Sequence, residues 1–350
     1  MIKVIFAGGV GGRLWPLSRH ATPKQFEPFF EGKSMLQLAV DRVRLFGMDD
    51  LFISTNTSYR ELVHAQIPDL NVEHIFYEPV KRDLAAAVCL TLARLKERGM
   101  SGPIAVLWAD HVMQRTDDFV AALKRAERLV TERPERFVFL AEKPRFANHN
   151  LGWMRLGAEI EPGVHAFEAW KYQPDVDTCQ TMFESGVWRW NPGYFVFDLD
   201  VALRMYEVNL SQMYLAIWEM VRDEALLNAR YAELEEAHFD TAILERLTPE
   251  QAVVLPVDLG WSDPGTLYAM KELLAASEDA NVEHGRVVTH NTRDSLVYNT
   301  NDGQLVATVG LDGMVVVNTN DSVLVCHKRA IPDIKTLLKR LETEGFEHLL

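Results

Sequence analysis

The chain has 350 residues, with 36 Lys plus Arg against 50 Asp plus Glu, a formal charge of −14, and 48% hydrophobic and 25% charged residues, which excludes a disordered or low-complexity protein. An acidic surface argues against a nucleic-acid coat but leaves room for a pocket that holds one nucleotide with a few local cations. No stretch approaches the ~18 apolar residues of a membrane span, Met1–Ala7 is too short for a signal peptide, and Cys89, Cys179 and Cys326 form no CxxC pair, so the expectation is a cytoplasmic protein that binds neither membrane nor nucleic acid.

In chain order, Ile2–Ala7, Leu51–Ser54, His74–Tyr77 and Ile104–Trp108 are short and rich in β-branched or aromatic residues, and read as strands. Between them, Leu36, Ala39, Val40, Val43 and Phe46 fall at helical spacing behind a Ser34 cap, and Asp83–Arg98 reads as a helix stopped by Gly99. This alternation predicts an α/β fold with a Rossmann-like, mixed and mostly parallel sheet, whose ligands sit at the carboxyl ends of the strands. From about 150 to 200 the pattern predicts shorter strands rich in aromatics, among them Trp153, Trp170, Trp188, Trp190, Tyr194 and Phe195. These rings either pack the core, the favoured reading, or face a ligand. Helices follow over roughly 200–246, then a strand Ala252–Val257 and a helix from Asp263. Beyond 281, short strands at Arg286–His290, Ser295–Asn299, Gln304–Thr308, Met314–Asn318 and Ser322–His327, separated by Asn, Asp and Gly, predict a small β-domain closed by a helix from Asp333 to Leu341. The chain thus divides into residues 1–280 and 281–350.

The first strand runs into a glycine loop, Gly8, Gly9, Gly11 and Gly12, followed by Arg13 and, in Pro23-Lys24-Gln25-Phe26, by Lys24. Leu14 stands where a dinucleotide fingerprint needs Gly, and no GK[ST] follows, so neither familiar phosphate loop applies. A glycine loop with two cations suits a triphosphate whose charge rises during transfer. Asp110 follows the strand Ile104–Trp108, and Asp263 follows Ala252–Val257 as the expected first residue of a helix. Two such carboxylates can hold Mg²⁺, which keeps water and phosphate oxygens as its other ligands. His111 reads as a positioning neighbour, because Mg²⁺ prefers oxygen.

The run GGVGGRLWPLSR followed by PKQF resembles the signature of the sugar-1-phosphate nucleotidyltransferase family, in its mannose-1-phosphate guanylyltransferase branch. The segments Glu78–Asp83, Ala109-Asp110-His111, Trp190–Phe195 and Asp258–Gly265 follow in the family's order, as do Val309–Asp312 and Asp321–Val325, so the resemblance covers nearly the whole chain. It implies transfer of GMP from GTP to mannose 1-phosphate, with Mg²⁺ on Asp110 and Asp263. Arg13 would hold the leaving pyrophosphate, and Lys24 would neutralise charge near the α-phosphate. The resemblance places the nucleotide on Gly8, Gly9, Gly11, Gly12, Glu78, Arg82 and Asp83, and the sugar near Gly152, Asn191 and Gly193. A homodimer is the expected assembly.

The sugar half departs from the family's pattern. Where the family carries a Glu-Lys pair for sugar hydroxyls and sugar phosphate, this chain has Tyr172 and Gln173. Lys171, assigned to the sugar site, is one position away and on a strand would face the opposite side. Whether a local shift brings it in, or Lys143 or Arg155 replaces the missing lysine, stays open. Trp108 replaces a usual Pro, Leu84 a usual Thr, and Gly12 a usual Thr. Two other readings stay open: the same chemistry on a heptose or deoxyhexose 1-phosphate, and a regulatory subunit that binds a GDP-sugar without turnover.

Overall fold

A computed structural model describes residues 1–9, 11–29 and 32–350; Val10, inside the glycine run, lies outside the described residues. The chain forms two compact units, one of Met1–Gly8, Ala39–Ala109 and Met113–Trp261, the other of Gly9–Leu38, Asp110–Val112 and Ser262–Leu350.

The larger unit follows the strand–helix alternation of the sequence. β1 (Ile2–Phe6) is buried along its length, and α1 (Met35–Val43) begins at Ser34. There Ser34 Oγ accepts from the Gln37 amide at 3.1 Å, and Gln37 Oε1 accepts from the Ser34 amide at 2.9 Å, a reciprocal cap that satisfies two otherwise orphaned donors. β2 (Leu51–Asn56), α2 (Arg60–Gln66), β3 (Ile75–Glu78), α3 (Asp83–Glu97), β4 (Pro103–Trp108), α4 (Thr116–Glu132) and β5 (Phe137–Glu142) follow. The Ala- and Leu-rich α3 packs almost all round, with Ala85 to Ala93 buried.

β6 (Gly152–Glu161) and β7 (Val164–Tyr172) come next, then α5 (Val176–Ser185), β8 (Trp188–Trp190), β9 (Phe195–Asp198), α6 (Leu199–Asn209), α7 (Ser211–Met220), α8 (Glu224–Arg230), α9 (Phe239–Ala242) and β10 (Ala252–Val257). The expectation of short strands over 150–200 needs correcting: β6 and β7 have 10 and 9 residues. Their outer halves, from Arg155 onward, are partly exposed on both faces, so the two-residue alternation that marks a half-buried strand is absent there.

The ten strands form one mixed sheet in the order β10-β7-β6-β8-β5-β9-β4-β1-β2-β3. Parallel pairing joins β3, β2, β1 and β4, and also β5 to β10; the other pairings are antiparallel. Because β10 pairs with both β7 and β5, the strands β5, β8, β6, β7 and β10 close into a ring. Phe137, Phe139, Phe195 and Phe197 fill the core beside it, with Phe139 and Phe195 edge to face at 5.5 Å. Each such ring contributes roughly 1.5–3 kcal/mol by burial. Trp153, Trp190, Tyr194 and Phe195 are core residues, as the favoured reading held, whereas Trp170 and Trp188 are half-buried.

In the smaller unit, α10 (Leu267–Leu274) precedes β11 (Val282–His284), β12 (Val287–His290), β13 (Leu296–Asn299), β14 (Val306–Val309), β15 (Met314–Asn318) and β16 (Val323–His327), and α11 (Ile334–Thr343) closes it. β11, β13 and β15 pair in parallel, and so do β12 and β14, each strand skipping its chain neighbour. The chain therefore coils in rungs, and β16 ends the stack by pairing antiparallel with β15. Asn299 and Asn318 stand in register on adjacent rungs, and the Asn318 side-chain Nδ2 donates to Asn299 Oδ1 at 3.0 Å.

A buried ionic lock lies at the start of the rungs. Asp294 accepts from Lys271 of α10, from Lys328 at 2.5 Å and from the Tyr268 hydroxyl at 2.7 Å. Leu14, Trp15, Leu17 and Met35 share an apolar cluster with Leu267, Leu296, Val315, Val317 and Ile334, so the residues after the glycine loop belong to this unit's core.

Candidate active site

Lys24 is buried, and its ammonium lies 2.7 Å from Asp110 Oδ2 and 3.3 Å from Asp263 Oδ1. A two-residue bridge brings the carboxylates together: the Val112 amide donates to the Ser262 carbonyl at 3.0 Å, and the Ser262 amide returns a bond to Val112 at 2.9 Å. Burial alone would lower the Lys24 pKa, but the two carboxylates outweigh it and hold the side chain as an ammonium. Asp110 is the reverse case, since burial would raise its pKa and the charges of Lys24 and His111 draw it below the ordinary carboxylate range. His111 Nε2 stands 3.9 Å from the other Asp110 oxygen.

Asp263 does not open a helix, contrary to the sequence expectation. α10 begins at Leu267, and Thr266 caps it by accepting from the Ala269 amide at 3.1 Å. Pro264 and Gly265 keep Asp263 in the loop ahead of the helix, which frees its carboxylate from capping duty.

The glycine loop turns through a short 3-10 segment at Gly12–Leu14. Gly11 has φ +69°, and a Cβ there would sit 2.8 Å from Lys24 Cγ, so glycine is required both by conformation and by the approach of the lysine stem. Arg13 is exposed and forms no ion pair among the described residues. A Cβ on Gly265 would lie 3.4 Å from Arg13 Nη2 and 3.5 Å from Asp263 Oδ1, so guanidinium and carboxylate face the same small gap. Gly8 is exposed, and Gly9 accepts from the Gln25 side-chain amide at 3.1 Å.

The other expected nucleotide residues already have partners within the larger unit. Arg82 pairs with Glu236 at 3.0 Å, and Asp83 pairs with His238 at 2.9 Å. Glu78 closes β3 and accepts from the Tyr231 hydroxyl at 2.8 Å. Burial pushes the Glu78 carboxyl up to about 7, against the opposing pull of Tyr231, Arg94 and Lys81. A carboxyl raised above its ordinary 4.5 favours the fold while protonated, so its contribution is complete below about 4.5 and is lost as pH rises through 7. Glu78→Gln stays neutral and keeps an acceptor for Tyr231. It should melt about 2–4 °C above the parent at pH 8 and level with it near pH 4.5. Parallel melting curves at both pH values would contradict this.

Of the expected sugar residues, the structure gathers three. The Asn191 amide donates to the Gly152 carbonyl at 2.8 Å, and Asn191 Oδ1 accepts from the Gly193 amide at 2.9 Å. Tyr172 stands in register with Gly152, its ring 3.4 Å from where a Gly152 Cβ would be. Lys171 is not brought to this cluster: it pairs with Trp153 one register position on, which puts its side chain on the opposite face. The Trp108 indole N–H donates to the Gly193 carbonyl at 2.7 Å. Gly193 has φ +75°, and a Cβ there would meet that nitrogen at 2.8 Å. Trp108→Phe keeps the ring and loses the donor. If the sugar binds here, KM for the sugar phosphate should rise about fivefold to tenfold with KM for the nucleotide unchanged, as initial rates would show.

Residues 2–280 match the family described as nucleotidyl transferase. The chain belongs to the nucleotidyl transferase family. Residues 285–341 match the mannose-phosphate isomerase/GMP-like β-helix domain, in keeping with the coiled rungs. The chain is 32% identical to the mannose-1-phosphate guanylyltransferase of Escherichia coli K12, over 99% of its own length and 74% of the relative's. It is also 32% identical to the alginate biosynthesis protein AlgA of Pseudomonas syringae pv. tomato, over 99% and 72%. A crystal structure from Thermus thermophilus, described as a mannose-1-phosphate geranyltransferase, superposes with a TM-score of 0.87 at 28% identity, covering 97% of this chain and 99% of that one.

This nucleotidyl transferase has a further residue that the motif reading missed. Glu142 ends β5 with its side chain fully buried, and accepts from the Leu259 amide at 2.9 Å and the Trp261 amide at 3.2 Å. Arg145 donates to the Trp261 carbonyl at 2.8 Å and lies over the Trp190 ring at 5.2 Å. Together they fix residues 258–261, the stretch that leads into Asp263. The available signal was a lone carboxylate closing the apolar run Phe137–Ala141.

Among the described residues, no group of three or more His, Cys, Asp or Glu side chains is placed to share a metal ion. Asp110 and Asp263 nonetheless converge on one cation, the Lys24 ammonium, and two carboxylates completed by phosphate oxygens suffice for Mg²⁺. The donor set therefore fits a hard divalent ion.

Proposed function

We propose that this nucleotidyl transferase transfers GMP from GTP to mannose 1-phosphate, giving GDP-mannose and pyrophosphate. The observation that carries the reading is the Lys24 ammonium between Asp110 and Asp263 next to the uncommitted Arg13, in a chain similar along 99% of its length to a mannose-1-phosphate guanylyltransferase. A phosphate oxygen of the sugar phosphate attacks the α-phosphorus of GTP. The new P–O bond forms as the bond from the α-phosphorus to the bridging oxygen of the β-phosphate breaks, and pyrophosphate takes that electron pair. No protein nucleophile is needed, so catalysis is positioning and charge neutralisation.

Lys24 offsets charge at the α-phosphate, and Arg13 holds the departing pyrophosphate. The glycine loop, with Glu78, Arg82 and Asp83, serves the nucleotide, and Gly152, Asn191 and Gly193 serve the sugar. The family generally uses a divalent metal, and Asp110 and Asp263 are the residues that would hold Mg²⁺, which supplies charge neutralisation on phosphate oxygens. Residues 1–280 form the transferase domain in this reading and 281–350 the C-terminal β-domain. No helix among the described residues is long and apolar enough to cross a membrane, and we place the protein in the cytoplasm as a homodimer.

A second sugar is favoured by one observation: Tyr172 stands in register with Gly152, at the position where the family resemblance implies an acid. Pyrophosphate release with Mg²⁺, each of GTP, ATP, UTP and dTTP, and a panel of sugar 1-phosphates tests both readings. A GTP- and mannose-dependent signal abolished by EDTA supports the first. A clear preference for a heptose or deoxyhexose phosphate replaces it with the second, and nucleotide-sugar binding without turnover would point to a regulatory subunit.

A further inference from the structure

Helix α11 and the segment after it reach the glycine loop at one point each. A Cβ on Gly12 would lie 3.2 Å from Leu338 Cδ1, with no other heavy atom of the described residues beyond its chain neighbours within 4 Å. The backbone at Gly12 is not left-handed, so what limits position 12 is the helix behind it and not the turn. Three residues on, the buried Trp15 indole N–H donates to the Leu349 carbonyl at 2.8 Å. Leu337, Leu338 and Leu341 of α11 pack on the cluster that holds Leu14, Trp15 and Leu17. The turn itself is closed by the Leu14 amide on the Gly11 carbonyl at 2.9 Å and the Trp15 amide on the Gly12 carbonyl at 3.1 Å. Arg13, exposed, is carried between these two anchored positions, and Gly11 abuts the Lys24 stem.

We propose that Leu338 and Trp15 are positioning residues: α11 and the segment after it brace the glycine loop from behind, and so set Arg13 and Lys24 for the nucleotide. The inference rests on the transferase reading for its kinetic consequence. A cavity of about 200 Å³, lined by Gly12, Trp15, Lys335, Leu338 and Lys339, lies beside the contact. Trimming Leu338 joins the lost volume to that space, so the loop has nothing to settle against. A β-carbon at position 12 would require Leu338 to give by a few tenths of an ångström.

The test compares Leu338→Ala, Leu338→Met and Leu341→Ala in the full chain. Leu341 lies on the same apolar face and packs in the same cluster, but not against position 12. Leu338→Ala and Leu341→Ala should lose similar thermal stability. Leu338→Ala alone should raise KM for GTP or lower kcat by about fivefold or more, because small misplacements of charge-bearing groups are costly. KM for the sugar phosphate stays as in the parent, and Leu338→Met, which conserves volume, restores both constants. Kinetics for Leu338→Ala equal to those of Leu341→Ala overturn the brace. If the parent turns over no substrate, the transferase reading falls and amide exchange decides instead: faster exchange at Leu14 and Trp15 in Leu338→Ala than in Leu341→Ala supports the brace, and equal exchange overturns it.

Discussion

Lys24→Met should lower kcat/KM for pyrophosphate release from GTP by about 10³-fold or more, on the scale of losing a preorganised charge at a reacting phosphorus. The same change should weaken the fold. Lys24 lies 2.7 Å and 3.3 Å from two carboxylates, and without it the cation that both of them share is gone. Removing one member of such a set leaves charges that must take up a proton or a metal ion. Mg²⁺ should therefore raise the melting temperature of the variant more than that of the parent, because the carboxylates of the parent are already satisfied. Lys24→Arg is not a rescue, since a planar fork cannot replace a compact ammonium behind Gly11. A Lys24→Met protein within threefold of the parent rate would remove Lys24 from the chemistry.

Asp294→Ala should produce the largest loss of stability, about 3 kcal/mol or more, while leaving KM for both substrates unchanged in whatever fraction stays folded at low temperature. Asp294 is buried and takes Lys271, Lys328 and the Tyr268 hydroxyl together, and Lys271 is only 1% exposed. Deleting the carboxylate leaves that buried ammonium with the Glu278 carbonyl as its hydrogen-bond acceptor and without its paired charge. Burial by itself would raise the Asp294 pKa, but these three partners overcome it and draw the pKa down to about 2. The sign follows from the depressed value. The contribution is complete above the ordinary 3.8 and disappears as pH falls toward 2, so the parent's stability should drop over that window and the variant's should not. Denaturant titration at pH 7 and at pH 3 reads both effects. A loss below 1 kcal/mol at pH 7 would mean that the lock is replaceable.

Much of this fold is legible in the chain because local signals agree with the final packing. β10 and β15 lie where their apolar runs begin and end, and the Ser34 cap and the Gly99 stop bound their helices. The signals fail where a strand extends beyond the core. β6 and β7 lose their alternation past Arg155, and β11 is a three-residue rung with no apolar run of its own. The rungs pair with the next strand but one along the chain, which no local pattern records. At the site, the glycine loop, Arg13, Lys24 and the two aspartates were readable as residue types near strand ends. The ion pairs between them were not, since the Val112–Ser262 bridge that makes them joins segments remote in sequence. Glu142 escaped for a related reason: its partners are backbone amides, which carry no residue identity.

The ring formed by β5, β8, β6, β7 and β10 bears on how the protein is made. β10 closes it by pairing with β5, yet it emerges from the ribosome long after β5, with helices α5 to α9 in between. Until then β5 and β7 each present an unpaired edge, the kind of template that recruits other chains. The parallel strands β1 to β4 can assemble beforehand, so this half of the sheet waits open while the other is already set. The vulnerable interval in the life of this enzyme is thus a stage of synthesis, and conditions that slow translation between Glu142 and Ala252 should increase aggregation of the nascent chain without altering the finished protein.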